Sequence, residues 1–334
     1  MKMGWKGTLR SMQAASRKAE RKAQRRNREL QLRQKEYAKM EALEQAAYEV
    51  EVYENKIDLL LSVHKECGDE IDWQSFIDRV EPVEPVCDGV LEVQARDREK
   101  NYQPGFFARL LKLENRQRKN LQYNIEKGRL EDKRQHNKAV QQWQTDHAAW
   151  QEEYKIAQGI LRGEGQAKLE AIKLLDPFSD ISHLGTAVNF SIGDKGVVEA
   201  NLSVHGSRVI PSDIKSLLQS GKLSTKKMPM GKYNELLQDY ICSCVFRVGR
   251  ELLSILPDDL VVVTAVDDAV NTATGHMDKF PIVSVAVSRK TLETLNMQSI
   301  DPSDAMKNFV HNMSFKKTSG FTPVQVLDVN QFNV

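Results

Sequence analysis

Between Thr8 and Cys67 the chain has neither proline nor glycine and is built mostly from Ala, Leu, Glu, Lys, Arg, Gln and Met. These residues lose little side-chain freedom in a helix and rank as its best formers. A single helix of that length would run ~90 Å at 1.5 Å per residue. Ordinary globular helices are far shorter, so the stretch predicts a coiled coil or an extended arm. Gly68 directly after it predicts a left-handed helix stop. Leu43, Ala47, Val50, Ile57, Leu60 and His64 recur at three- and four-residue steps, interrupted at Glu54, as the a and d positions of a heptad do. Before Met40 there is almost nothing to bury.

A second helical stretch runs from about Phe106 to Leu161. Val140, Trp143, His147, Trp150, Tyr154, Ala157 and Leu161 keep the same rhythm, and Leu110, Leu113, Leu121 and Ile125 give a looser version. Gly128 predicts a kink. Between the two lies a connector in which Trp73, Phe76 and Ile77 suggest a short helix, and Pro82 and Pro85 force extended chain. The expected organisation is a basic-then-acidic helix over 1–68, a connector over 69–105, a second long helix over 106–175, and an α+β domain over 176–334. Two stripes of similar length joined by a connector long enough to reverse direction favour a coiled-coil hairpin. Pairing of each stripe with another copy is the alternative.

Composition changes at Asp176-Pro177-Phe178. Val188, Phe190 and Ile192 alternate with Ala187, Asn189 and Ser191, then comes Gly193-Asp194-Lys195-Gly196 and Val197 to His205, which predicts a β-hairpin. Pro211-Ser212-Asp213 opens an expected helix that Gly221 stops. Gly231 to Leu256 carries one broad apolar face and predicts a helix. Leu260–Val266 and Phe280–Val287 read as buried strands. Helices are expected at Arg289–Leu295 and Asp301–Asn312, with a final strand at Thr322–Val329. Strands with helices enough to cover one face describe an α+β sandwich.

Charge is the strongest functional signal. The formal total of +2 conceals 13 Lys and Arg against three acids between Lys2 and Lys39, and 11 acids against three cations between Glu41 and Arg79. A helix charged on every face cannot be held by packing and needs solvent or a counter-charged partner. Arg17, Lys18, Arg21, Lys22, Arg25, Arg26 and Arg28 are the candidate contacts to nucleic-acid phosphates. The alternatives are a solvated arm, an acidic protein surface such as the acidic section of a neighbouring chain in a coiled-coil self-association, and a membrane surface, for which only Trp5, Leu9 and Met12 could enter lipid. The segment lacks the spaced aromatics on which single-stranded bases stack.

No catalytic motif is found: no phosphate-binding Gly-rich loop with its Lys-Ser/Thr, no Gly-x-Ser-x-Gly and no His-Glu-x-x-His. A magnesium-dependent nuclease core would need acids at one strand end and an acid-x-Lys on the next. Asp267 and Asp268 supply the first part, whereas Asp278 and Lys279 are placed in a loop. Cys242 and Cys244, two apart on a helix, point ~200° apart and cannot share a metal. Arg289-Lys290-Thr291 and Lys316-Lys317-Thr318-Ser319-Gly320 could hold an anion. No cofactor and no metal are expected. Four scattered cysteines (67, 87, 242 and 244) and the absence of an apolar leader or a ~20-residue apolar span point to a cytoplasmic protein without a membrane span. The leading expectation is a non-enzymatic interaction protein, with a nuclease or a purely structural oligomer as alternatives.

Overall fold

The fold comes from a computed structural model that describes residues 42–104, 114–178, 187–205, 209–270 and 274–332. These form two compact units, one of residues 78–155, the other of 42–77 with 156–332. The fold is α+β.

The larger unit is organised by a mixed six-stranded sheet with strand order β1-β2-β5-β6-β7-β8. Its strands are β1 (Ala187–Ile192), β2 (Val198–Ser203), β5 (Leu260–Val270), β6 (Met277–Ser288), β7 (Val310–Lys316) and β8 (Gly320–Thr322). β2 and β5 are parallel and every other pair is antiparallel. One face packs on the helix α6 (Met230–Ile255), whose Gly249 faces Val287 at a distance no side chain would allow. Val261 and Val287 lie on that face. Because successive side chains alternate, Val262 and Ala286 point the other way and pack with Val197, just before β2, and with Leu327 and Val329 of the C-terminal segment. Ser284 holds that segment by accepting the Leu327 amide at 3.0 Å.

The helix α1 covers Ala42–Ser62 and passes into a 3-10 turn at Val63–Lys65. It therefore stops short of Cys67, and Gly68 is not left-handed. Gly68 serves a different purpose: its amide donates to Glu251 Oε2 at 2.9 Å, and a Cβ there would lie 2.8 Å from Oε1. The buried stripe of α1 is Ala46, Val50 and Leu60, with Tyr53 and Ile57 half-buried, while Leu43 and Ala47 are exposed. Tyr53 thus fills the step that Glu54 interrupts in the sequence. The stripe is covered by α6 and by a two-stranded ribbon, β3 (Asp213–Leu217) and β4 (Leu223–Lys227). Lys215 of β3 pairs with Glu49 of α1 at 2.7 Å.

That ribbon replaces the helix expected after Pro211. Leu217 and Leu223 face each other across a tight turn in which Gly221 adopts φ +75°. Pairing and docking on α1 override local preference. The helix expected over 301–312 is likewise cut short. Asp301 caps a brief α8 (Pro302–Ala305), a 3-10 turn follows to Asn308, and β7 begins at Val310 because its alternating side chains pair with β6. The strand expected over Thr322–Val329 does not form: β8 (Gly320–Thr322) shares only Thr322 with it, and residues 323–328 carry no strand. Arg289–Glu293 forms the short helix α7. The helix α5 (Gly165–Leu175) is tied to the sheet by buried Lys168, which donates to Asp258 Oδ1 at 2.6 Å and to the Gly196 carbonyl at 3.0 Å.

In the smaller unit the connector is itself the partner of the second long helix. After the short α2 (Gln74–Ile77) and a turn at 78–79, residues 80–88 carry neither helix nor strand, Gly89 turns left-handed, α3 spans Val90–Lys100, and α4 spans Glu114–Leu161. Contacts follow an antiparallel register: Arg79 with Glu153, Glu81 with His147, Pro82 with Trp143, Leu91 and Glu92 with Asp132, Tyr102 with Gln117. Arg79, Pro82 and Pro85 are half-buried, while Val80, Val83 and Val86 stand 67, 85 and 81% exposed. That period of three matches the polyproline-II repeat, toward which the φ of Pro82 and Pro85 is pre-set. Trp143 Nε1 donates to the Pro82 carbonyl at 2.9 Å, and Trp143, His147, Trp150 and Tyr154 stack in a ladder along α4.

α4 runs unbroken through Gly128, so the expected kink is absent. A Cβ at Gly128 would lie 2.9 Å from the Leu91 carbonyl and 3.1 Å from the Glu92 nitrogen. The glycine admits the start of α3, whose Leu91 and Glu92 amides are capped by Asp132 at 3.1 and 2.8 Å. Gly128→Ala should destabilise this pairing by about 1–2 kcal/mol, overpacking outweighing alanine's better helix propensity. Hydrogen exchange would then speed up in α3; unchanged protection there would refute the close-approach account.

Candidate nucleic-acid interface

Arg17, Lys18, Arg21, Lys22, Arg25, Arg26 and Arg28 lie outside the described residues. The described chain shows a second cationic element, the first half of α4. From Glu114 to Lys138 it carries eight Lys or Arg, four acids and seven Asn or Gln. Residues 121, 125, 128, 132 and 136 are half-buried along one face, the face that α3 and Asp132 occupy. At 100° per residue, Arg116, Lys119, Tyr123, Lys127, Leu130, Arg134 and Lys138 fall on the opposite side. All of them are exposed, Tyr123 to 69%.

The acids of this stretch are already engaged. Glu114 pairs with Arg118 at 3.3 Å, Glu126 with Arg129 at 3.7 Å and Glu131 with Arg134 at 3.6 Å, while Asp132 caps α3. Among the described residues, Arg116, Lys119, Lys127, Lys133 and Lys138 form no ion pair. Reading for apolar stripes overlooked this surface; counting charge in a sliding window would have found it.

The other candidates are accounted for by structure. Asp267 and Asp268 sit inside β5, opposite Phe280 and Lys279, so neither ends a strand and Asp278 and Lys279 are not in a loop. Asp268 Oδ2 is 3.5 Å from His205 Nδ1, and Lys279 donates to Ser203 Oγ at 3.3 Å. Burial, and then the neighbouring Asp268 charge, raise the Asp267 carboxyl above its ordinary range. No group of three or more His, Cys, Asp or Glu able to hold a metal is found among the described residues. Arg289 is no free anion site. It donates to the Leu253 and Leu256 carbonyls at 2.5 and 2.8 Å, closing the C-terminus of α6, and pairs with Glu70 at 2.7 Å. Lys317 pairs with Glu235.

Cys242 and Cys244 are buried free thiols in α6, and burial pushes Cys244 up to about 12. His64 and His147 each have their own setting: His64 Nδ1 lies 2.9 Å from Ser243 Oγ, and His147 Nε2 lies 2.8 Å from Glu81 Oε1. No helix among the described residues is long and apolar enough to cross a membrane. No protein-family model, curated protein or solved structure matches the chain.

Proposed function

We propose that the protein is a non-enzymatic interaction protein whose basic N-terminal segment docks nucleic acid through Arg17, Lys18, Arg21, Lys22, Arg25, Arg26 and Arg28. The reversal of charge near residue 40 carries the reading. Ten excess cations precede it, with too few apolar residues to hide against the protein itself. Such a segment gains free energy on a polyanion by releasing condensed counterions, so its binding weakens steeply with salt. The stripes expected to form a coiled coil are covered within the chain, α1 by α6 and the β3–β4 ribbon and α4 by the connector, so reach or self-association falls to the basic segment, while the α+β domain binds a protein partner.

Charge reversal of Arg21, Lys22, Arg25 and Arg26 to Glu tests the docking. The wild type is expected to be retained on DNA or RNA columns at low salt, and the variant to wash through. Should the wild type itself fail to be retained, or the variant elute with it, the nucleic-acid reading is wrong.

A further inference from the structure

We infer that the outward stripe of α4 is a second nucleic-acid surface and that the polymer it takes is duplex DNA. The inference rests on the nucleic-acid reading above but uses different residues. Arg116, Lys119, Lys127 and Lys138 are exposed, unpaired among the described residues, and aligned on the side of α4 away from α3. Their span of 22 residues is ~33 Å, close to the ~34 Å of one duplex turn. Asn120 and Asn137 share the stripe, and five further amides flank it. Amide side chains accept from adenine N6 and donate to its N7, a pairing that lysine, a donor only, cannot make.

Shape selects the form of the polymer. A lone α-helix face fits the ~12 Å major groove of B-form DNA, whereas the deep, narrow major groove of A-form RNA excludes it. Single strands are held by stacking on aromatic rings. Between Glu114 and Lys138 the chain offers Tyr123 as its one Phe, Tyr or Trp.

The test uses the full-length protein and fluorescence anisotropy with duplex DNA, duplex RNA and single-stranded DNA of equal length, over roughly 50–200 mM salt. Arg116→Gln, Lys119→Gln, Lys127→Gln and Lys138→Gln are combined in one variant. The log–log salt slope for duplex DNA should flatten by about 3–4, as each lost phosphate contact removes about 0.9. The charge-keeping counterpart (Arg116→Lys with the three lysines changed to Arg) should keep the wild-type slope, which separates charge from folding. Wild type should prefer duplex DNA over both other polymers. An unchanged slope in the glutamine variant overturns the inference, and so does equal affinity for duplex RNA. If the Arg21-Lys22-Arg25-Arg26 reversal abolishes binding while the glutamine variant binds normally, the N-terminal reading stands and the α4 surface falls. If the glutamine variant loses slope while the reversal variant binds like wild type, the reverse holds.

Discussion

Replacing Glu251 by alanine should remove about 3–5 kcal/mol of stability, the range found when one member of a buried ion pair is deleted. Glu251 and Arg247 stand one turn apart on α6, both almost wholly out of solvent, with Arg247 Nη1 bonded to Glu251 Oε2. The same oxygen accepts the Gly68 amide. Removing the carboxylate takes the Glu251 charge from a guanidinium in low dielectric and the acceptor from a part-buried amide. The interaction also anchors residues 66–70 to α6, so the loss should appear as a lower urea midpoint together with faster exchange of the Gly68 amide. The double variant Arg247→Met, Glu251→Leu should recover part of the stability, because an apolar pair needs no compensation. A single variant within about 1 kcal/mol of wild type would show that water already reaches the pair.

Acid should weaken the protein through His64. The side chain is 1% exposed, and burial, aided by the Lys65 and Arg250 charges, lowers its pKa from 6.5 to about 4, with the Met297 and Leu61 main chain acting weakly the other way. Ser243 Oγ both faces Nδ1 and accepts the His64 amide, and Arg250 donates to the His64 carbonyl. The folded state thus keeps the ring neutral where the unfolded chain protonates it. Stability is full above about pH 6.5 and falls as pH drops toward 4, because the unfolded state binds the extra proton. Between pH 7 and 4.5 the wild type should lose about 2–3 kcal/mol more than His64→Asn. The comparison with that variant matters because burial raises the carboxyls of Asp239, Asp267 and Glu199. Their contribution is present at low pH, is lost as pH rises, and is shared by both proteins. Parallel stability profiles for the two would exclude a buried neutral imidazole.

Elements whose side chains repeat at one period and find partners close in sequence were readable in advance. The apolar face of α6, the β1–β2 hairpin and the Val261–Val266 strand belong to this group. Elements defined by distant partners were not. Ile214 and Leu217 look helical after Pro211 until β4 and α1 supply their pairing. Asn312 continues a capped helix by local rules, yet β6 recruits it at Ser284. Gly68 and Gly128 were both read as backbone devices, although each is a close-approach site for a group far away in sequence. The proline connector looked like a spacer because polyproline-II chain buries one residue in three, a pattern neither helix nor strand periods detect. For the interface, net charge exposed the N-terminal segment at once. The α4 stripe carries a smaller excess, eight cations against four acids over residues 114–138, and a search for apolar stripes passes over it.

The larger unit is assembled from the two sides of an inserted segment. His64, Gly68 and Trp73 meet Ser243, Glu251 and Ile255 at sequence separations of 179, 183 and 182. At a ribosomal pace of about 5–20 residues per second, α1 waits roughly 10–35 seconds after synthesis before α6 exists to receive it. Throughout that interval Val50, Leu60 and Trp73 have no native cover. The insertion, residues 78–155, closes on itself meanwhile, since its own pairs are all made within one short stretch of chain. Biogenesis of this protein therefore has an order written into its topology, and a chaperone that shelters the first helix would act in that gap.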